Sequence, residues 1–167
     1  PSRKDLSLYG GKNLWVKIRD MNHQMYISDT DEKITDKGGK ESNVKLLPKD
    51  TLLFSFKLTI GKVAITAKEL YTNEAIAGIV PKDNRVLTKY LYYLLPRLDY
   101  SVYSQRATKG KTLNKDIMRM VEIPLPSIEI QKKIIKELDA KEAEKEKHLQ
   151  AVKKIDKDQN AKINELI

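Results

Sequence analysis

The run Tyr103-Ser104-Gln105-Arg106-Ala107-Thr108-Lys109-Gly110-Lys111-Thr112-Leu113-Asn114-Lys115 carries four basic residues and no acid. Arg106, Lys109, Lys111 and Lys115 suit phosphates and the acceptor edge of guanine, while Gln and Asn suit adenine. Tyr103, Gln105 and Thr112 would then supply base or sugar contacts. Gly110 would let backbone N–H groups approach a phosphate closely. Taken alone, the run reads more readily as an ordinary basic surface loop. A second polar stretch, Thr30 to Asn43, offers Lys37, Lys40, Ser42 and Asn43 to the same kind of partner. With Gly38-Gly39 inside it, residues 29–42 are expected to form a loop or hairpin tip. Arg19 and Lys57 fit structural ion pairs better than nucleic-acid contacts. Trp15, Phe54 and Phe56 fit a core better than a stacking platform.

The charge supports a polyanionic partner and locates it. The 167 residues sum to +9 at pH 7. Residues 1–126 hold 22 basic and 14 acidic groups, and residues 127–167 hold 10 and 9. The excess therefore lies almost wholly in the first part, and nucleic acid is the commonest partner for such a head. Lys outnumbers Arg 26 to 6, a bias that a lysine-rich proteome would also produce. Other chemistries are poorly served. There is no Cys, so no disulfide, thiol nucleophile or Cys-bound metal. His23 and His148 lie far apart. No Gly-x-x-x-x-Gly-Lys-Ser/Thr loop, Gly-x-Gly-x-x-Gly turn, Asn/Asp-Pro-Pro-Tyr stretch or His-Glu-x-x-His pair occurs. The densest acidic run, Glu137 to Glu146, sits among lysines on a solvated face. The chain is not expected to be an enzyme by itself. No 18-residue apolar run and no signal-peptide pattern is present. The opening Pro1-Ser2-Arg3-Lys4, without Met, reads as mid-sequence and suggests a trimmed or partly ordered chain.

The elements that must position these residues fall into two parts. Leu14 to Ile18, Val44 to Leu47, Thr51 to Phe56, Lys62 to Thr66 and Ala75 to Val80 read as short strands, punctuated by Pro48-Lys49-Asp50 and Ile60-Gly61. Leu87, Tyr90, Leu91, Leu94, Leu95 and Leu98 follow the helical spacing, with Pro96 ending or kinking the helix. Asn114 would cap a short helix through Met118. Val121-Glu122-Ile123 reads as a last strand, and Pro124-Leu125-Pro126 as a rigid corner. From Ser127 to Ile167 there is neither Pro nor Gly. A helix of that length would reach about 60 Å. Ile135, Leu138, Leu149, Val152, Ile163 and Leu166 form an interrupted seam along it, with charged or amide residues between. A lone helix so long buries too little to be stable, so pairing is expected. The expected class is α+β: a small mixed or antiparallel β-rich globular head (1–126) with a packed helix, followed by a long coiled-coil helix (127–167).

Several fragments, in this order, resemble the DNA specificity (S) subunits of type I restriction–modification systems. They are Pro1-Ser2-Arg3 with Tyr9-Gly10-Gly11 through Trp15-Val16-Lys17-Ile18-Arg19-Asp20-Met21; Leu52-Leu53-Phe54-Ser55-Phe56 with Thr59-Ile60-Gly61-Lys62-Val63-Ala64; Thr72-Asn73-Glu74-Ala75-Ile76-Ala77-Gly78; and Tyr90-Leu91-Tyr92-Tyr93-Leu94-Leu95. The most specific is Ile123-Pro124-Leu125-Pro126-Ser127-Ile128-Glu129-Ile130-Gln131, at the junction into the long helix. The resemblance implies a non-catalytic target-recognition domain reading one half of a bipartite DNA site. It implies a conserved helix that spaces the heads and docks modification (M) subunits. S-adenosylmethionine is expected on those subunits, with no cofactor in this chain, and restriction subunits would join indirectly. A prokaryotic cytoplasm is the implied setting.

An S subunit of this family has two heads, whereas this chain has one, and the strand and turn expected before Pro1 are missing. The resemblance is therefore to half of such a subunit. The chain would pair as a homodimer through the long helix, or with the second half of a longer subunit. A homodimer would set two identical heads on an inverted repeat, within roughly two duplex turns. Two other readings stay open: the specificity portion of a single-chain methyltransferase–nuclease, and a coiled-coil interaction protein with an incidentally basic head.

Overall fold

A computed structural model describes the chain except residues 23, 105–112, 114–117 and 165–167, and of residues 102, 104, 163 and 164 it describes the backbone alone. Among the described residues the head carries seven strands: β1 (Tyr9–Val16), β2 (Tyr26–Ile27), β3 (Lys33–Ile34), β4 (Leu52–Ser55), β5 (Val63–Thr66), β6 (Tyr71–Thr72) and β7 (Ile76–Ile79). Its helices are α1 (Asp36–Glu41), α2 (Thr88–Leu94) and α3 (Ser101–Ser104), and the long helix α4 runs Ile128–Asn164. At 1.5 Å per residue α4 is about 55 Å long.

The strands form two small mixed sheets, in the orders β3-β1-β6 and β2-β5-β4-β7. The β1–β6 and β2–β5 pairs are parallel and the rest antiparallel. β4 is the pivot, because all four of its residues are buried. Successive strand residues face opposite ways. Leu52 and Phe54 therefore enter one apolar cluster with Phe56, Ile65, Tyr90, Leu91, Leu95 and Leu113. Leu53 enters the other, with Leu14, Val16, Met21, Ile27, Ala64, Leu70 and Ile76. The first cluster lies under α2, and the second joins residues of both sheets. Trp15, Phe54 and Phe56 are core residues, as their types and setting suggest.

Three stretches differ from the expectation, and the end of the helix at Pro96 follows it. Residues 29–42 are not a loop tip: they form β3 and α1. Thr35 caps α1, its Oγ1 accepting from the Gly38 N–H at 3.0 Å. Gly38 and Gly39 are buried because the helix is pressed onto its neighbours. A Cβ at Gly38 would stand 2.3 Å from the Leu8 carbonyl oxygen, and one at Gly39 2.7 Å from the Tyr71 hydroxyl. Close approach, not turn geometry, is the reason for these glycines. Val44 to Leu47 contributes only the isolated bridge Leu47–Leu70. Val121-Glu122-Ile123 pairs with no strand among the described residues; the Val121 N–H instead closes a turn on the Met118 carbonyl at 3.4 Å. The helix over 87–98 is α-helical to Leu94 and tightens to a 3-10 turn at Leu95–Arg97, where Pro96 removes a donor. The capping position Asn114 lies outside the described residues.

Candidate nucleic-acid interface

The basic run is held at two described points. Tyr103, in α3, is half-buried against the cluster under α2, and its hydroxyl accepts from the Glu122 N–H at 3.4 Å. Leu113 is fully buried in that same cluster. Both residues are thus anchors of the run. Gln105, Arg106, Lys109, Lys111, Thr112 and Lys115 lie outside the described residues. Next to Tyr103, Tyr100 packs its ring on Phe54 with centroids 5.5 Å apart. Its hydroxyl donates to the Leu95 carbonyl at 2.8 Å, and burial, seconded by Tyr103, pushes the phenol up to about 12. Tyr100 is therefore a neutral packing residue.

The second-choice residues separate. Lys37 donates to the Ser7 hydroxyl at 3.0 Å and stands 3.6 Å from Asp5 and 3.8 Å from Glu41, so its charge is spent inside the head. Lys40, in the last turn of α1, and Asn43 are exposed, and Ser42 is half-buried as the cap of α1. Arg19 pairs with Asp31 at 3.5 Å, as expected. Lys57 does not follow that expectation. Its ammonium lies 5.8 Å from the Phe56 ring centroid, and among the described residues no carboxylate pairs with it.

Much of the remaining positive charge is neutralised locally. Glu32 takes both Arg3, at 2.8 Å, and Lys17, at 3.1 Å. The Arg3 hydrogen bond outweighs burial and, with Lys17, holds the Glu32 carboxyl at about 2. A cleft of about 590 Å³ is lined in part by Lys12, Lys33 and Lys68, but Lys33 is bonded to Asp29 at 2.9 Å and Lys12 lies 3.5 Å from Asp36. With Glu69 also on its wall, the cleft is near charge balance and poorly suited to phosphate. No group of three or more metal-ligating side chains occurs among the described residues. No helix of the described residues is long and apolar enough to cross a membrane.

A joint that the sequence reading did not single out fixes the head on α4. Gln131 is fully buried. Its Oε1 accepts from the Leu87 N–H at 2.9 Å, and its Nε2 donates to the carbonyls of Arg85 at 2.7 Å and Pro126 at 2.9 Å. Two turns on, Asp139 accepts from the Lys89 ammonium at 2.7 Å and the Tyr93 hydroxyl at 2.6 Å. Burial would raise the Asp139 carboxyl, but these two bonds prevail and lower it, while burial and the Asp139 bond push the Tyr93 phenol up. Ile134 and Ile135 pack on the cluster under α2, so Ile135 serves the joint, and Leu138 is half-buried. Past Ala140, every described side chain of α4 is exposed, Leu149 and Val152 among them. The Ile163 side chain and Leu166 lie outside the described residues. The signal for the joint was present in the sequence as Pro124-Leu125-Pro126 followed by Gln131.

Comparison with known proteins bears on this arrangement. Residues 1–155 match the family described as the type I restriction modification DNA specificity domain. The specificity subunit of the type I restriction enzyme MjaIX of Methanocaldococcus jannaschii is 38% identical over 139 residues, covering 80% of this chain and 32% of that protein. The HindI specificity subunit of Haemophilus influenzae is 30% identical over 143 residues, covering 81% and 31%. The chain thus spans about a third of the length of these curated relatives. Among solved structures, the HsdS subunit from Thermoanaerobacter tengcongensis superposes with a TM-score of 0.59 at 19% identity, over 83% of this chain and 32% of that one. A chain from a study of complex assembly and conformational transition in a type I R-M system gives 0.64 at 18% identity, over 86% and 34%. At these identities the superpositions establish a shared fold: mixed sheets with a long C-terminal helix.

Proposed function

Since the chain belongs to the type I restriction modification DNA specificity family, we propose that it is a non-catalytic, sequence-specific DNA-recognition module of a type I restriction–modification system. In this reading residues 1–126 read one half of a bipartite target, and residues 127–167 space the head, pair with a second helix and dock modification subunits. Methyl transfer and cleavage then belong to other subunits, with S-adenosylmethionine bound on the modification subunit. The carrying observation is the family match itself, which runs from the head across the joint into α4. Two features of the chain support it. Half of the head's net positive charge lies in a run whose two described anchors, Tyr103 and Leu113, share one buried cluster. The outer part of α4, with Leu149 and Val152 exposed, buries nothing by itself and calls for a second helix.

The test is light scattering of the chain alone and with duplex DNA, combined with a salt titration. Steep weakening of duplex binding between about 50 and 200 mM salt is expected for a module neutralising several phosphates. Self-association without any salt-dependent duplex binding would refute DNA recognition and leave a helix-mediated assembly protein.

A further inference from the structure

The hairpin joining β4 and β5 ends in an arrangement that packing does not require. Leu58, at its tip, is 92% exposed, the most exposed of the large apolar side chains described. Its φ is +61°, in the left-handed region that leucine rarely adopts. The turn holding it is nevertheless built rigidly. Ser55 is fully buried, and its hydroxyl donates to the Thr59 carbonyl at 2.5 Å and accepts from the Lys62 N–H at 3.0 Å. The Gly61 N–H closes on the Ser55 carbonyl at 3.0 Å. A glycine at position 58 would satisfy this turn better than a leucine. A large apolar residue is thus kept, at a conformational cost, where it is almost wholly exposed.

The surroundings indicate what it meets. From Thr51 to Lys68 there is no Asp or Glu. Lys57 has no carboxylate partner among the described residues, and Lys62 donates to the Asn22 side chain. The root of the hairpin, Phe56 and Ile60, packs in the same cluster as Tyr103 and Leu113. The tip therefore rises from the packing unit that also anchors the basic run.

We propose that the tip Lys57-Leu58-Thr59 contacts DNA, with Leu58 packed on apolar base surface in a groove and Lys57 on phosphate. This inference rests on the DNA-recognition reading. Apolar side chains serve this role against thymine methyl groups and between base steps. A lysine with no carboxylate partner beside such a side chain supplies the sequence-independent part of the affinity.

The test uses the whole chain. Duplexes are selected from a pool with a randomised 20-base-pair core, about two helical turns, and the selected duplex is titrated against the parent, Leu58→Gly and Lys57→Ala. Unfolding in urea is followed for each. Leu58→Gly is expected to be at least as stable as the parent and to bind on the order of tenfold more weakly, with lost preference at one position of the site. Lys57→Ala is expected to weaken all duplexes alike and to flatten the salt dependence. Unchanged affinity in Leu58→Gly would overturn the proposal and leave DNA recognition standing. Loss of stability in step with binding would overturn it in favour of a folding role for Leu58. Absence of duplex binding by the parent chain would overturn both readings.

Discussion

Replacing Gln131 by Leu keeps the volume of the side chain nearly unchanged and removes all of its hydrogen bonding. Three bonds disappear: those to the Leu87 N–H, the Arg85 carbonyl and the Pro126 carbonyl. Net losses near 1 kcal/mol per bond would give about 3 kcal/mol. Two effects adjust that figure. Arg85 is exposed, so its carbonyl can be rehydrated. The half-buried Leu87 N–H, at the start of α2, has no replacement acceptor and incurs a desolvation penalty of about 1–3 kcal/mol. The expected destabilisation is therefore about 2–4 kcal/mol, a large share of the 5–15 kcal/mol typical of a folded domain. The sole tryptophan, Trp15, is buried in β1, away from the substituted helix, and reports head unfolding in urea. A midpoint lowered at unchanged slope is expected, with the head itself losing stability although the substitution lies in α4. A loss below about 0.5 kcal/mol would refute the reasoning, because water must then replace Gln131 and the joint is not a sealed contact.

The glycines of α1 allow a sharper comparison. Gly38→Ala sets a Cβ 2.3 Å from a backbone oxygen and is expected to cost about 1–3 kcal/mol, whereas Gly39→Ala meets only the end of the Tyr71 side chain and should cost less; thermal melting of both variants checks the order. Glu32 links stability to acid. Its carboxyl ionises at about 2 in the folded chain against an ordinary 4.5, so its contribution is full above about 4.5 and is lost as the pH falls toward 2. Allowing for solvent around the exposed Arg3, Glu32→Gln should cost about 1–2 kcal/mol at pH 7, and the difference from the parent should vanish near pH 2 in urea unfolding.

What could be read from the sequence depended on how local the cause was. The strand runs around β4, β5 and β7, the helix at 88–94 and the long α4 each carry their own period, and each is present. The helix α1 has no such signature, since two adjacent glycines oppose helix formation. Its cause is tertiary: the Leu8 carbonyl and the Tyr71 ring leave no room for side chains at those positions. Val121 to Ile123 has strand composition, but no partner strand is available to it among the described residues. Lys37 is held by Glu41 four positions on and by Asp5 and Ser7 some 30 positions earlier, and only the first of these was within reach of local spacing. Gln131 was visible only as a letter in a family-like junction; its role required knowing that Leu87 and Arg85 come back to meet it. The basic run at 103–115 is the reverse case, plain in composition, with two anchors now placed and its cationic residues outside the described part of the chain.

The joint at Gln131 and Asp139 acts on a lever. From Ala140 to Asn164, α4 projects about 36 Å beyond Asp139, whose hydrogen bonds tie it to the head. A tilt of about 5° at the joint would swing the far end by about 3 Å, close to the rise of one base pair. If the helix sets the gap between two half-sites, the error in that gap is governed by the stiffness of a few buried hydrogen bonds at its fulcrum. Loosening them would leave the recognised half-site unchanged and blur the distance to the next.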